Sequence, residues 1–341
     1  MDDDLIRVGK VPHSTLRRIL SLCSTVERKE VIVGPSLGED AAVIRIDDTD
    51  YILVVHTDPI TEAFSKLGWL SINVAANDIA VTGARPSWFT VTILMPSGST
   101  DEDIVSLAKE VSEAAHSLGG VVVGGHTEVS PGISKPILVT TAMGITKLEY
   151  FVKTGGAKPG SLVFQVKPAA LEGTAIIAHD FHGKLVSMGV PESVINRARE
   201  FINEISVVKP AITLAEKGIV ESMHDSTEGG LIGGLIELAR ASHVSLNIDD
   251  INIIVRKETE IISNALGIDW MKLVSSGAII GTIKPEYIED FSNVIQKLGL
   301  EFSIIGEVLR YSGFDVFLER ENKFYNGYVR DEISRLFDKG S

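Results

Sequence analysis

The chain reads as a two-domain protein of mixed α/β (α+β) content, on three observations. Its 341 residues exceed what one hydrophobic core usually carries. Apolar segments of strand period and of helix period alternate along it. Near the middle, Gly155-Gly156-Ala157-Lys158-Pro159-Gly160 breaks both patterns, and a strand pattern resumes at Leu162 to Val166. The expected domains are therefore residues 1–154 and 155–341.

Taken in order, Ser14 to Cys23 has helical spacing, with Cys23 on the face of Leu16, Ile19 and Leu20, so core packing is expected for it. Ala41 to Ile46 and Tyr51 to Thr57 read as strands joined by a turn at Asp47-Asp48-Thr49-Asp50. From Glu62 to about Ile79 the spacing of Ala63, Leu67, Leu70, Val74 and Ala75 is helical, and Gly83 and Pro86 mark the exit. Thr100 is placed to cap a second helix. Asp101 to Asp103 suit the positive end of its dipole, Ile104, Leu107, Val111, Ala114 and Leu118 line one face, and Gly119 closes it. Val121 to Val123 and Pro136 to Ile145 are strands, the second too apolar for an exposed edge. In the second half the pattern predicts helices near Glu192 to Ile205, Pro210 to Lys217, Thr227 to Ala241 and Glu286 to Leu298. Strands are predicted at Ala278 to Ile283 and Phe302 to Val308.

Composition narrows the function. The formal net charge of −14, without a basic tract, argues against nucleic acid and anionic membrane as partners. No apolar run reaches the roughly 18 residues of a membrane span. Met1-Asp2-Asp3-Asp4 lacks the features of a secretory signal, so a cytoplasmic location is expected. Cys23 is the only cysteine, which excludes an intramolecular disulfide and a four-cysteine zinc site.

Polar clusters carry the chemistry. Gly38-Glu39-Asp40-Ala41-Ala42, His56-Thr57-Asp58-Pro59 and Asn77-Asp78-Ile79-Ala80 set carboxylates beside small and apolar residues. Such oxygen donors suit Mg²⁺, which usually shares its ligands with substrate phosphates. Asp78 falls on a largely apolar helical segment, where a charge needs a partner or a metal, or else a solvated helix end. Gly124-Gly125-His126-Thr127-Glu128 follows an apolar strand: the glycines permit close approach to a ligand, Glu128 can ligate a metal, Thr127 can contact phosphate, and His126 suits a structural hydrogen bond. In His224-Asp225-Ser226-Thr227-Glu228-Gly229-Gly230-Leu231 a strand meets a glycine-rich helix start, suited either to anion binding or to tight helix packing. There is no Gly-x-x-x-x-Gly-Lys-Ser/Thr loop, no Gly-x-Gly-x-x-Gly, no Gly-x-Ser-x-Gly and no His-Glu-x-x-His.

In series with Thr-Asp-Pro-Ile (57–60), Gly-Ala-Arg-Pro (83–86), Gly-Ala-Lys-Pro-Gly (156–160) and Glu-Gly-Thr-Ala (172–175), these motifs resemble the aminoimidazole ribonucleotide (AIR) synthetase, or PurM-like, superfamily over nearly the whole chain. The chain is most similar to the hydrogenase maturation protein HypE and archaeal AIR synthase-related proteins, and less so to thiamine-monophosphate kinase and selenophosphate synthetase. The resemblance implies an N-terminal domain whose sheet pairs with that of a second subunit in a barrel-like homodimer, and a C-terminal α/β domain for the acceptor. It implies ATP and Mg²⁺, with Asp40, Asp58, Asp78 and Glu128 matching metal-binding acids. Gly38, Asp40 and Gly124, Gly125, His126 and Thr127 match nucleotide contacts, Asp78 and Asp225 the reacting centre, and Asp225, Gly229 and Gly230 the loop facing the acceptor.

The implied chemistry is activation of an oxygen or related atom of a small-molecule or protein-bound acceptor by the ATP γ-phosphate, with a maturation protein as a conceivable partner. HypE proteins carry a terminal Pro-Arg-Ile-Cys tail, whereas these residues end Phe337-Asp338-Lys339-Gly340-Ser341, so the HypE reaction by that route is not expected. The early Cys and Lys pair of selenophosphate synthetase is likewise not apparent. A nucleotide-binding assembly partner and a dimeric scaffold are the alternatives from other classes.

Overall fold

The computed structural model describes residues 11–23 and 28–338. Met1-Asp2-Asp3-Asp4 and Lys339-Gly340-Ser341 lie outside the described residues. Helix α1 (His13–Cys23) leads into β1 (Val31–Val33), β2 (Ala42–Arg45) and β3 (Tyr51–Ile60), then α2 (Leu67–Val81), β4 (Arg85–Pro96), α3 (Asp101–Ser117), β5 (Val121–Ser130) and β6 (Ile137–Lys147). These strands form one mixed sheet in the order β1-β2-β3-β6-β4-β5. The chain continues through β7 (Leu162–Val166), α4 (Leu171–Asp180), α5 (His182–Ser187), α6 (Glu192–Glu200), α7 (Val208–Lys217), β8 (Val220–Asp225) and α8 (Gly230–Ser242). It ends with β9 (Val244–Ile248), α9 (Lys257–Leu266), β10 (Ile279–Ile283), α10 (Ile288–Lys297), β11 (Phe302–Arg310), β12 (Val316–Leu318), β13 (Lys323–Tyr325) and α11 (Glu332–Asp338). The second sheet runs β13-β12-β9-β11-β7-β10-β8. Each sheet holds one parallel pair, β4 with β5 and β12 with β9, among antiparallel neighbours.

Helix α2 is the element on which both halves meet. Its sequence is apolar on every side, and all of it but Trp69 is buried, as expected of a helix enclosed by other elements. One side packs on β3 and β6. The other faces the segment after α6: Trp69 Nε1 donates to the Ile202 carbonyl at 2.8 Å, Asn77 Nδ2 to the Ile205 carbonyl at 2.9 Å, and the Val207 amide to Asn77 Oδ1 at 2.9 Å. Each buried leucine or isoleucine such as Leu70, Ile72 and Ile79 contributes about 1.5–3 kcal/mol. Helix α3 starts as its sequence dictates: Thr100 Oγ1 accepts from the Asp103 amide and the Asp103 side chain accepts from the Thr100 amide. In the second sheet Val163 faces α8, while Phe164 and Val166 join the core on the opposite face.

Several expectations need correction. Cys23 is exposed rather than packed, because α1 buries only His13 among the described residues and leaves Ile19 and Leu22 open. Helix α2 begins at Leu67 instead of Glu62: Lys66 is left-handed at φ 60°, which breaks the helix upstream. Pro86 starts the irregular end of a 12-residue strand, β4, that sequence periodicity had not suggested. Asp58 lies inside β3, opposite Thr140, rather than after it. Helix α8 begins at Gly230, after a left-handed Gly229, and not at Thr227. Among the described residues no helix is long and apolar enough to cross a membrane.

Candidate metal and nucleotide site

Three carboxylates from distant parts of the chain converge where the halves meet. Asp40 precedes β2, Asp78 sits on α2, and Asp225 ends β8. One oxygen from each lies within 4.8 Å of the others. The hairpin of β2 and β3 carries Asp40, the all-round burial of α2 fixes Asp78, and the pairing of Asp225 with Ile279 on β10 fixes the third.

The neighbours of these acids differ. Asp40 Oδ2 accepts from Thr154 Oγ1 at 2.8 Å, and its Oδ1 lies 2.5 Å from His224 Nδ1. The other nitrogen of His224, Nε2, lies 3.1 Å from Glu237 Oε2. Burial alone would lower the His224 pKa, but Asp40 and Glu237 outweigh it and hold the group well above its ordinary value. His56 donates from Nδ1 to the Asp40 carbonyl and places Nε2 3.2 Å from Asp78 Oδ2. Asp225 has no such support: it is 0 % exposed, and neither carboxylate oxygen has a hydrogen-bond partner. Burial, and then the charge of Asp40, push its pKa up to about 8. An unsatisfied buried polar group costs about 1–3 kcal/mol, and folded proteins retain such groups where function uses them. Crowded oxygen donors, one of them orphaned, fit a hard divalent cation such as Mg²⁺.

Beside this cluster lies a cavity of about 540 Å³ between the halves, lined by Asp58, Glu62, Glu172, Thr227 and Glu228 among others. Asp58 therefore stands at the cavity rather than inside the three-carboxylate group. Glu172 is fully buried on α4, accepts from the Ser276 amide at 3.2 Å, and is pushed up to about 7 by burial.

The remaining predicted residues fall into two places. Gly38 is left-handed at φ 86° and packs on α8, where a Cβ would meet the Glu237 carbonyl at 2.8 Å. Gly229 donates its amide to Asp331 Oδ2 at 2.7 Å, so a carboxylate of the chain already occupies that helix start. Gly230 lies against the backbone of Met271 to Leu273, the tight packing its sequence allowed. Gly124, Gly125, His126, Thr127 and Glu128 instead lie within β5, which is exposed along Val121 to Val129 at the edge of the first sheet. There Glu128 Oε2 pairs with His126 Nε2 at 3.0 Å, and Glu128 also accepts from Ser130.

Sequence reasoning assigned no role to His56, Glu172, His224 or Glu237. Glu172 and Glu237 each interrupt an apolar helical run, the same signal that marked Asp78.

Residues 38–146 match the AIR synthase related protein, N-terminal domain, and residues 158–319 match the AIR synthase related protein, C-terminal domain. The chain belongs to the AIR synthase-related family. It is 25% identical over 308 residues to a Methanocaldococcus jannaschii protein named provisionally as a hydrogenase expression/formation protein, covering 87% of this chain and 88% of that one. Its fold is similar to AaThiL complexed with AMPPCP and TMP, with TM-score 0.73 and 18% identity over 96% of this chain and 99% of the other. It is also similar to the hydrogenase maturation protein HypE in complex with ATP, with TM-score 0.69 and 19% identity over 93% of this chain and 91% of the other. The fold is thus the mixed two-domain PurM-like fold of a superfamily of ATP-dependent enzymes.

Proposed function

We propose that this protein is a Mg²⁺-dependent enzyme that uses the ATP γ-phosphate to activate an oxygen or related atom of an acceptor. The observation that carries this reading is the meeting of Asp40, Asp78 and Asp225, with both oxygens of Asp225 unpartnered. Asp40, Asp78 and Asp225 would hold Mg²⁺, with Asp58 and Glu128 as further candidate ligands. A bound Mg²⁺ would neutralise phosphate charge. Within this reading, His224 keeps Asp40 oriented through its paired contacts with Asp40 and Glu237, and His56 does the same for Asp78. Phosphoryl chemistry needs positioning and charge stabilisation more than a protein nucleophile, which suits a site rich in carboxylates and devoid of cysteine.

The same reading pairs two copies of the chain through the first sheet and divides each at residues 154 and 155. Edge strand β5 supports the pairing: Val121, Val123 and Val129 are each about half exposed (48%, 56% and 50%), more apolar surface than an isolated edge strand usually shows. Gly124 to Thr127 would then contact nucleotide at the seam between subunits. A cytoplasmic setting belongs to this reading, and so does a role beside a hydrogenase maturation partner, which rests on the names of the relatives.

Calorimetric titration with ATP, with and without Mg²⁺, tests the proposal. Binding that requires Mg²⁺ and is lost in Asp78→Asn is expected; equal affinity in the variant, or no binding to the wild-type protein, would reject it.

A further inference from the structure

Lys167 carries two costs at one position. It stands in the turn from β7 to α4 at φ 68°, in the left-handed region that glycine fills without strain. It is also only 6 % exposed, which a lysine tolerates when its ammonium is paired. Its partners are main-chain carbonyls: Nζ donates to Glu204 and, at 2.9 Å, to Ser206, both in the segment between α6 and α7. The alternate groups of that segment go to a different residue. The Ile205 carbonyl accepts from Asn77 Nδ2 at 2.9 Å, and the Val207 amide donates to Asn77 Oδ1 at 2.9 Å. Four successive residues of the second half are thus held by Lys167 and Asn77 in alternation. Asn77 is fully buried and directly precedes Asp78 on α2. The segment has little room to shift, since even a Cβ on Gly277 would meet Ile205 Cα at 2.9 Å.

We propose that Lys167 is a positioning residue for the carboxylate site: by holding residues 204–207 it sets Asn77, and through Asn77 the turn of α2 that aims Asp78 at Asp40 and Asp225. The assignment rests on the reading of those three carboxylates as a Mg²⁺ site. The charge on Lys167 makes the link sensitive to pH. Burial pushes its pKa down to about 8, with the Glu204 carboxylate opposing the shift and the Arg256 guanidinium adding to it. Arg256 is itself held 3.3 Å from Glu204 and 2.9 Å from Glu301. Below that pH an ammonium grips the two carbonyls. Above it a neutral amine keeps its N–H groups but loses the charge that makes such hydrogen bonds about twice as strong.

The test is calorimetric titration of the full-length protein with AMPPCP in the presence of Mg²⁺, on wild type, Lys167→Met, Asn77→Ala and the double variant. At about pH 7, Lys167→Met is expected to weaken binding about fivefold and Asn77→Ala about tenfold. The double variant should lose no more than Asn77→Ala alone, because one path carries both effects. The ratio of wild-type to Lys167→Met affinity should shrink as pH rises through about 8; the titration of Asp225 is common to both proteins and cancels in that ratio. Should Lys167→Met fail to fold, Lys167→Gly, which the left-handed backbone favours, carries the test. Equal affinity in wild type and Lys167→Met, additive losses in the double variant, or a ratio unchanged between about pH 7 and about pH 9 would overturn the proposal. Tight binding by the wild-type protein with any of those results rejects the positioning role alone. No binding by the wild-type protein overturns that role together with the MgATP reading.

Discussion

Two regions with equally plain sequence motifs meet opposite fates in the fold. The carboxylates of Asp40, Asp78 and Asp225 are drawn into the interior from three separate segments. The run Gly124 to Glu128 is left open on an edge strand, paired with β4 on one side only, and its His126 and Glu128 side chains touch each other. The first region is assembled within one chain, and its strain lies in an excess of buried negative charge. The second lies on an open strand edge with exposed valines, and among the described residues no element covers it. A motif near a strand end therefore says which chemistry is available, while burial decides which of its side chains the fold brings together.

The contrast is sharpest at Asp225. Its folded pKa, about 8, is raised above the ordinary value of 3.8. Stability from this group is therefore fully present below about pH 4 and lost as pH rises through 8. In metal-free buffer above pH 8, Asp225→Asn should make the protein more stable, by an amount on the order of 2 kcal/mol in chemical denaturation, with the gain shrinking as pH falls. The same substitution should weaken MgATP binding at least about 100-fold. A variant that is both less stable at high pH and unaffected in binding would break the distinction between the regions.

Gly125 probes the open region. A Cβ there would stand 2.0 Å from the Val91 carbonyl oxygen, so Gly125→Ala should lower stability by about 2–3 kcal/mol. It should also disturb any assembly made through β5, as read by sedimentation velocity. Thr100→Ala, outside both regions, sets the scale of an ordinary local contact at about 1 kcal/mol through loss of the α3 cap. The smallest effect belongs to His126→Ala: an exposed pair 3.0 Å apart, screened by solvent, should leave the melting temperature unchanged. A lowered melting temperature would mean that His126 is enclosed in solution, as at a subunit seam.

Much of this was legible because local chemistry and final structure agree. The Thr100 cap, the Gly119 stop, the β2–β3 turn and the apolar central strand β6 follow from short-range rules that tertiary packing did not overrule. Asp40 and Asp78 were visible as charges set among small and apolar residues. Strand β4 is hidden in the sequence because Gly83 and Pro86 read as a helix exit, and its pairing partners β5 and β6 come later in the chain. The left-handed Lys66 that delays α2 carries no sequence mark, since lysine rarely adopts that conformation. Glu172 and Glu237 were missed although they obey the rule that marked Asp78. Asp331 lies 102 residues from Gly229, a distance over which periodicity is silent.

A metal site formed by Asp40, Asp78 and Asp225 is open to electron paramagnetic resonance with Mn²⁺ as a Mg²⁺ surrogate. With ATP present, wild-type protein should remove the free Mn²⁺ signal, and Asp225→Asn should leave it at its protein-free level. Equal uptake by the two proteins would contradict the account.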